Sequence, residues 1–517
     1  MYTPRGFGVS ELGDIEVVVA GEEFHLFHLT LPNHDVVQHA VSQDGLSWNP
    51  LPAALRTGDP GAIDDDQIWT MSVTPRPGGD GYQMLYTALA TADDGRIQRV
   101  TMATSDDLLR WTKSTATSVI SADPRWYESD PGATGAVSWR DPKPVHVGDG
   151  YLATICARET LGPVPRRGCA GLLVSHDLER WETRPPLFAP RRFWDLECPQ
   201  VFRLGAQPDP DRWYLTAAIM EDRSQRYWFS DQAIGPYRVP PGGDFLAPAG
   251  HYAARITHWR NMDLLFAWHQ PKLHEGWMTS SRTIDWVEAR NPFGKFLAPP
   301  LRISARDDGS LALASFPGWD AYRGAGWQSP QSRERTLFQD RAMPLGRDWH
   351  IDAGGGMDVL LATAAVTDFV VEGSLVFAGP RGGLALRLDD DGCGLFIELT
   401  PESGQIALQR WGFTRNERNG GLRYAYNMLQ ASHRSTPIDA GNPVPFRLLS
   451  VGPYVEASFG GEVAIATMTG SPEAGAWGIW VEGGACSVSD LRWAPMRRPG
   501  SVGQPEMNPS VEVVSVG

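Results

Sequence analysis

One seven-residue pattern, Ser-x-Asp-x-x-x-Trp, recurs along the chain and limits the folds that this sequence can form. It occurs three times, at residues 42–48, 105–111 and 175–181, so that successive tryptophans lie 63 and 70 residues apart. Weaker versions follow at residues 230–237 and 281–286. A unit that returns at this spacing indicates that one supersecondary structure is built several times over.

Each repeated unit also contains runs of residues that are typical of β-strands. Residues 15–19 and 24–29 precede the first tryptophan, and residues 82–86 and 99–103 precede the second. Short apolar or alternating runs separated by turn residues predict antiparallel hairpins. Five units of about four strands each predict a five-bladed β-propeller, in which radial packing leaves only short sheet edges. The alternative is that the pattern is a single type of turn that recurs by chance.

The repeat fades after residue 318, and the rest of the chain is organised differently. A stretch without clear periodicity comes first, and strand-like runs with alternating character return from about residue 368. Alternation of this kind is typical of two half-buried sheets packed face to face. We therefore predict an all-β chain with a propeller domain over residues 1–318, a linker over 319–347, a C-terminal β-sandwich domain over 348–496 and a tail over 497–517.

The charge of the chain and its lack of targeting signals indicate which binding partners and which cellular compartment to expect. The 46 basic and 61 acidic residues give a formal net charge of −15, which argues against nucleic acid or an anionic membrane as the main partner. No run approaches the ~18 apolar residues of a membrane-spanning helix, and residues 1–10 lack the apolar core of a signal peptide. The five cysteines form no C-x-x-C pair. These features predict a cytoplasmic protein, with secretion as the alternative if the chain is a trimmed form.

The residues that could carry chemistry are carboxylates. The chain has no phosphate-binding loop, no nucleophile elbow and no H-E-x-x-H motif, and its twelve histidines are dispersed, so we expect neither a metal nor another cofactor. Asp14, Asp141 and Glu197 remain, the latter two in aromatic or proline-rich surroundings. Dry surroundings raise a carboxyl pKa, which suits a general acid. Two carboxylates that flank a glycosidic bond are the minimum for sugar hydrolysis, and in a propeller the innermost strands would bring them together.

Two of these acids lie in motifs that resemble those of a known family. Trp139-Arg-Asp-Pro142 and Glu197-Cys-Pro199 resemble the RDP and ECP motifs of glycoside hydrolase family 32, which includes invertases and fructanases. Residues 39–48 resemble its GHAVSxDxxxW motif, and residues 455–461 are similar to the VEVFxNxG of its C-terminal sandwich. The resemblance covers about residues 11–495. It implies a retaining glycosidase that acts on an oligosaccharide or small glycoside, most simply a β-fructofuranoside, through a covalent glycosyl-enzyme.

The resemblance also implies a role for each of the three acids. Asp14 would be the nucleophile, Asp141 the transition-state stabiliser and Glu197 the acid/base. We further predict that Trp69, Arg140 and Trp194 contact the sugar, because the apolar face of a sugar stacks on indole; the alternative for a tryptophan is a place in the propeller core.

The first acidic motif departs from the WMNDPNG that is usual in the family. Gly13 replaces the asparagine before Asp14, the Pro-Asn-Gly after it is absent, and Leu29 stands where the family has a glutamine. Both departures fall in the pocket for the terminal sugar. If the register slips, Glu11 or Glu16 would be the acid instead.

Three other functions are compatible with the same features. The site could transfer fructosyl groups to another sugar, or it could act on arabinofuranosides. The third alternative is a carbohydrate-binding protein that has lost catalysis, and the altered motif around Asp14 is the feature that favours it.

Overall fold

The computed structural model shows a chain built almost entirely of β-strands. It describes residues 2–3, 11–79, 81–114, 119–206, 212–269, 273–278, 284–288, 295–324, 326–330, 332–336, 347–362, 366–415, 420–432, 441–469 and 474–500. None of the helices in these ranges is long and apolar enough to cross a membrane.

The first three sheets are antiparallel and each uses four consecutive strands. The first contains β1 (Glu11–Ala20), β2 (Glu23–Leu31), β3 (Val36–Ser42) and β4 (Asn49–Arg56). The second contains β5 (Gln67–Pro75), β6 (Tyr82–Leu89), β7 (Arg99–Ser105) and β8 (Thr112–Lys113). The third contains β9 (Trp139–Val147), β10 (Gly150–Arg158), β11 (Gly168–Ser175) and β12 (Glu182–Phe188).

Two further sheets complete this part of the molecule. The fourth contains β13 (Glu197–Phe202), β14 (Trp213–Ile219) and β15 (Ser224–Ser230). The fifth contains β16 (His251–Trp259), β17 (Met262–His269), β20 (Phe296–Leu297), β21 (Leu301–Ala305) and β22 (Leu311–Ala314), while β18 (Leu273–Met278) and β19 (Ile284–Glu288) pair separately. The first strands of the five sheets contact one another in a closed ring, in the order β1, β5, β9, β13, β16 and back to β1. The predicted five-bladed propeller is therefore confirmed.

The repeated sequence pattern forms the turn between the third and fourth strands of a blade. In each clear copy one aspartate oxygen accepts two backbone N–H groups: Asp44 from residues 46 and 47, Asp107 from 109 and 110, and Asp177 from 179 and 180, all at 2.7–2.9 Å. These N–H groups hold the pKa of Asp107 and of Asp177 below its usual value. The three copies thus share one geometry, which is the aspartate turn that such a spacing favours. Ser281 of the fifth copy lies outside the described residues.

The C-terminal part contains two large sheets packed on each other, which confirms the predicted β-sandwich. The seven-stranded sheet has the order β23-β25-β34-β27-β28-β29-β30, and the six-stranded sheet has the order β24-β35-β26-β31-β32-β33. In chain order these strands are β23 (Ser332–Thr336), β24 (Trp349–Asp352), β25 (Met357–Ala362), β26 (Phe369–Ala378), β27 (Arg381–Leu388), β28 (Gly394–Thr400), β29 (Gln405–Arg415), β30 (Leu422–Ala431), β31 (Val444–Val451), β32 (Tyr454–Phe459), β33 (Glu462–Met468), β34 (Ala476–Glu482) and β35 (Ala485–Pro495).

The propeller and the sandwich share part of their hydrophobic core. One buried cluster includes Phe266 and Trp268 of the fifth sheet together with Tyr454 and Ala466 of the six-stranded sheet. Strand β23 lies inside the segment that we predict to be a linker and pairs with β25. The exact domain boundaries stay predictions, and residues 501–517 of the predicted tail lie outside the described part of the chain.

Buried histidines make the stability of this fold depend on pH. Burial lowers the pKa of His28 and His251 to about 4 and that of His39 and His269 to about 3. The folded chain therefore binds fewer protons than the unfolded chain once the pH falls below the ordinary histidine value of about 6.5. The stability that these neutral rings contribute is complete above that pH and is lost as the pH falls toward about 4 for His28 and His251 and toward about 3 for His39 and His269.

We expect His251→Leu to remove the part of this pH dependence of stability that His251 contributes. At pH 5 one such histidine costs roughly 2 kcal/mol relative to pH 7, because 1.4 kcal/mol corresponds to each pH unit below the unfolded pKa. The free energy of unfolding in urea is measured for both proteins at both pH values. Between pH 7 and pH 5 the wild type should lose about this amount more than the variant. A difference between the two proteins that is the same at both pH values would contradict the expectation. Buried carboxyls with raised pKa act in the opposite direction, but both proteins contain them, so they cancel in the comparison.

Candidate active site

A cavity of about 200 Å³ lies at the propeller axis, where the innermost strands converge. It contains three carboxylates that come from three different blades: Asp14 from β1, Asp141 from β9 and Glu197 from β13. The remaining lining residues are Gly13, Leu29, Leu31, His34, Trp69, Thr70, Arg140, Met220, Tyr252, Trp268 and Lys295.

Asp14 reaches the cavity because β1 is irregular at this point. The pairing of β1 with β2 shifts register between Leu12 and Ile15, so the intervening residues leave the regular ladder. The Trp268 indole N–H donates to Asp14 Oδ1 at 3.1 Å, and the Thr70 hydroxyl donates to Oδ2. These two donors, from the fifth and second blades, hold the carboxylate in one orientation.

Asp141 is placed by a strained stretch of β9. Its φ of 61° is in the left-handed region, which is uncommon for a residue other than glycine, and the register of β9 with β10 shifts here. Its Oδ2 accepts the backbone N–H of Cys198 at 2.8 Å. Burial raises the pKa of Asp141, with the Arg140 guanidinium opposing the shift and the nearby Asp14 carboxylate adding to it.

Glu197 begins β13 and is held between a cation and a phenol. Arg140 Nη2 donates to its Oε1 at 2.7 Å, and the Tyr252 hydroxyl donates to its Oε2. Burial, and then the charge of Glu197, raise the pKa of Tyr252 well above its usual value. The phenol therefore stays protonated and available as a donor.

Arg140 links the acids of this site to one another. Its Nη2 also donates to Asp195 at 2.8 Å, and its Nε lies 3.6 Å from Asp141 Oδ2. Burial raises the pKa of Asp195, and Arg140 opposes that shift. The guanidinium thus has partners within the protein, and its predicted contact with the sugar stays a prediction.

Five of the six predicted site residues line this one cavity. Trp69 does so with its ring beside His34 and its indole N–H bonded to Gln67 at 2.6 Å. Trp194 does not line the cavity. Trp194 is 39% exposed, and the centroid of its ring lies 4.0 Å from the Arg158 guanidinium. A sugar contact by Trp194 stays a prediction and requires that the substrate extend beyond the cavity.

The two alternative acids near Asp14 are placed differently. Glu16 is fully buried, pairs with Lys143 and lies 3.2 Å from Arg255, outside the cavity lining. The side chain of Glu11 lies outside the described residues. The structure thus brings Asp14 rather than Glu16 to the other two carboxylates.

The sequence does not predict several residues of the site. Thr70, which lines the cavity, follows Trp69, and Asp195, a partner of Arg140, lies between Trp194 and Glu197, so proximity in sequence could have found both. Tyr252 and Trp268 come from the fifth blade, where the repeat is weak, and no sequence signal marks them.

A cation could meet three ligand atoms here. Oxygens of Asp14 and Asp141 and the Sγ of Cys198 lie within 4.8 Å of one another. Burial, together with the charges of these two aspartates, raises the pKa of the Cys198 thiol well above its usual value. A protonated thiol is a poor metal ligand. That no metal takes part stays a prediction.

Comparison with known proteins shows similarity in sequence and in fold. The model of the glycosyl hydrolases family 32 N-terminal domain matches residues 15–284, beginning one residue after Asp14. A cell-wall β-fructofuranosidase of Pisum sativum is 28% identical over 192 residues, which are 35% of this chain and 32% of that protein. A 6(G)-fructosyltransferase of Asparagus officinalis is 35% identical over 130 residues, 24% of this chain and 20% of that protein. The matched region thus spans a third or less of these relatives.

Solved structures of similar fold cover nearly the whole chain. Fructan 1-exohydrolase IIa of Cichorium intybus has a TM-score of 0.66 and 15% identity, with 97% of each chain covered. Exo-inulinase of Aspergillus awamori has the same TM-score and identity, with 96% of this chain and 97% of that chain covered. At this identity the likeness shows a shared propeller and sandwich.

Proposed function

The chain belongs to glycosyl hydrolase family 32, and from this premise we propose that it hydrolyses β-fructofuranosides with retention of configuration. The observation that carries the proposal is the meeting of Asp14, Asp141 and Glu197, from three blades, in one cavity. The cavity is smaller than the ~300–1,000 Å³ of drug-sized sites, so it suits a single terminal sugar unit.

The first step of the proposed reaction forms a covalent intermediate. A carboxylate oxygen of Asp14 attacks the anomeric carbon, and the bond from that carbon to the leaving-group oxygen breaks. Glu197 gives its proton to the departing oxygen. Because Arg140 donates to Glu197 Oε1, the proton to be transferred is on Oε2, and the Tyr252 hydroxyl donates to that oxygen when Glu197 is a carboxylate.

The second step releases the sugar and restores the enzyme. Glu197, now a carboxylate, takes a proton from water as the water oxygen attacks the anomeric carbon and the bond to Asp14 breaks. Asp141 accepts hydrogen bonds from ring hydroxyls, and such bonds strengthen as charge develops on the sugar. No atom is consumed besides those of the substrate and one water.

The names of similar proteins support a fructosyl substrate. They include a β-fructofuranosidase, a fructosyltransferase and a fructan exohydrolase, and a variant of the last was solved with 1-kestose. The fructosyltransferase favours a second candidate, transfer to another sugar, because a hydroxyl group other than water can attack the same intermediate. The proposed partner is thus an oligosaccharide or small glycoside.

We expect the first-formed sugar to retain the anomeric configuration of the substrate. Direct attack by Asp14 and then by water inverts the anomeric carbon twice, and retaining enzymes hold the two carboxyls roughly 5–5.5 Å apart for this purpose. NMR spectra recorded before the anomers equilibrate measure the outcome. An inverted product would recast Asp14 as a base that activates water.

The activity itself is tested with a panel of nitrophenyl furanosides, sucrose and short fructans. Purified protein should release fructose from at least one β-fructofuranoside, and high substrate concentration should also give transfer products. The doubly substituted Asp14→Asn, Glu197→Gln protein, purified in the same way, controls for contaminating enzymes. Cleavage of arabinofuranosides alone, or of no furanoside at all, would overturn the proposal.

A further inference from the structure

One wall of the cavity has no polar side-chain atoms. It consists of Gly13 from β1 and Leu29 and Leu31 from β2. A Cβ added at Gly13 would lie 3.1 Å from Leu29 Cβ and 3.2 Å from Leu31 Cδ2. The two leucines therefore pack directly over the glycine, and the wall is closed. We call these three residues the leucine wall.

Other residues of the lining are rich in hydrogen-bond acceptors. Asp14, Asp141 and Glu197 supply carboxylate oxygens, and three of the donors in the lining are already bonded to them. Thr70 and Trp268 donate to Asp14, and Tyr252 donates to Glu197. Sugar hydroxyls near the carboxylates can thus donate to them, whereas a hydroxyl that packs against the leucine wall meets no polar side-chain atom of Gly13, Leu29 or Leu31.

We propose that the leucine wall makes this site selective for deoxygenated furanosides, those with a C–H or methyl group where fructose has one of its hydroxyls. This inference rests on the proposed furanosidase function and names the substrate class for the same site. Burying a hydroxyl without a hydrogen bond is unfavourable, and an apolar pocket rejects an added hydroxyl by roughly 10- to 100-fold in kcat/KM. Leu29, which is 2% exposed, and Leu31 are the residues that determine this specificity.

The test compares nitrophenyl β-fructofuranoside with its 1-, 3-, 4- and 6-deoxy analogues. Loss of a hydroxyl also changes the intrinsic reactivity of the glycoside, so each kcat/KM is divided by the rate of acid-catalysed hydrolysis of the same compound. For the wild type we expect one analogue to exceed the parent by about 10- to 100-fold after this correction.

Substituting the wall should change that preference. Leu29→Gln places an amide beside the sugar and should lower the preference for the deoxy analogue about tenfold or more, whereas Leu109→Gln, on an exposed loop, should leave it unchanged. If Leu29→Gln does not fold, Leu31→Gln tests the same wall at a half-buried position.

The outcomes separate the two proposals. Corrected rates that agree within about twofold for all five compounds would overturn the selectivity but leave the furanosidase function intact. A preference that persists in the wall variants would overturn its assignment to Leu29 and Leu31. No cleavage of any compound would overturn the proposed function itself.

Discussion

Replacing Glu197 by Gln is expected to lower kcat on sucrose or a short fructan by about 10²–10⁴-fold. The amide has nearly the same shape: its oxygen can accept from Arg140, and its NH2 can donate to the oxygen of the Tyr252 phenol, but it has no acidic proton to give to the leaving oxygen. General acid catalysis typically contributes this factor. Stability should change little, because Arg140 keeps its buried partner Asp195 and can still donate to the amide oxygen.

The dependence on the leaving group distinguishes this role from a structural one. A dinitrophenolate needs no proton to depart, so the first step of Glu197→Gln on dinitrophenyl β-fructofuranoside should be largely spared, as a burst of released phenol. The control is Glu182→Gln, on the exposed outer strand β12, which should match the wild type. Equal losses on both kinds of substrate would remove Glu197 as the acid.

Arg140→Met is expected to cost the largest amount of stability among single substitutions in the site, about 3–5 kcal/mol. Arg140 is 7% exposed, and its guanidinium donates to both Asp195 and Glu197. Removing one partner of a buried ion pair leaves the other charge uncompensated, which costs this amount. Urea unfolding at pH 7 measures the loss.

The pH dependence of this loss follows from Asp195. Burial already raises the pKa of its carboxyl, and without Arg140, which opposes that shift, the pKa rises further. The folded variant therefore holds the proton more tightly than the unfolded chain does, and its deficit shrinks as the pH falls through the raised pKa. The control Arg184→Met breaks an exposed pair with Glu182 and should cost less than about 1 kcal/mol. A deficit for Arg140→Met that does not exceed the control would contradict the assignment.

The propeller could be predicted from the sequence because its repeat is local. In each clear copy an aspartate bonds backbone N–H groups two and three residues ahead, so the turn needs nothing from the rest of the chain. Asp141 and Glu197 could be predicted for the same reason. Each lies in a short motif whose residues are neighbours in sequence.

Other parts of the site depend on tertiary structure and could not be predicted. Trp268 and Tyr252 meet Asp14 and Glu197 across 254 and 55 residues of sequence. The register shift in β1 that directs Asp14 into the cavity arises from its pairing with β2. Strand β23 has the polar sequence Ser-Arg-Glu-Arg-Thr, which shows no apolar pattern. It is a strand because it pairs with β25 at the edge of the seven-stranded sheet.

The nucleophile is the central claim, and mass spectrometry of a trapped glycosyl-enzyme tests it most directly. In Glu197→Gln, dinitrophenyl β-fructofuranoside can still form the intermediate, while its hydrolysis lacks the general base and is slow. After quenching in acid and digestion with pepsin, we predict that the peptide with Asp14 carries one added sugar residue and that Asp14 is the modified side chain. A sugar on another carboxylate, such as Asp141 or Glu16, or an unmodified Asp14 peptide after a full burst of phenol, would contradict the assignment.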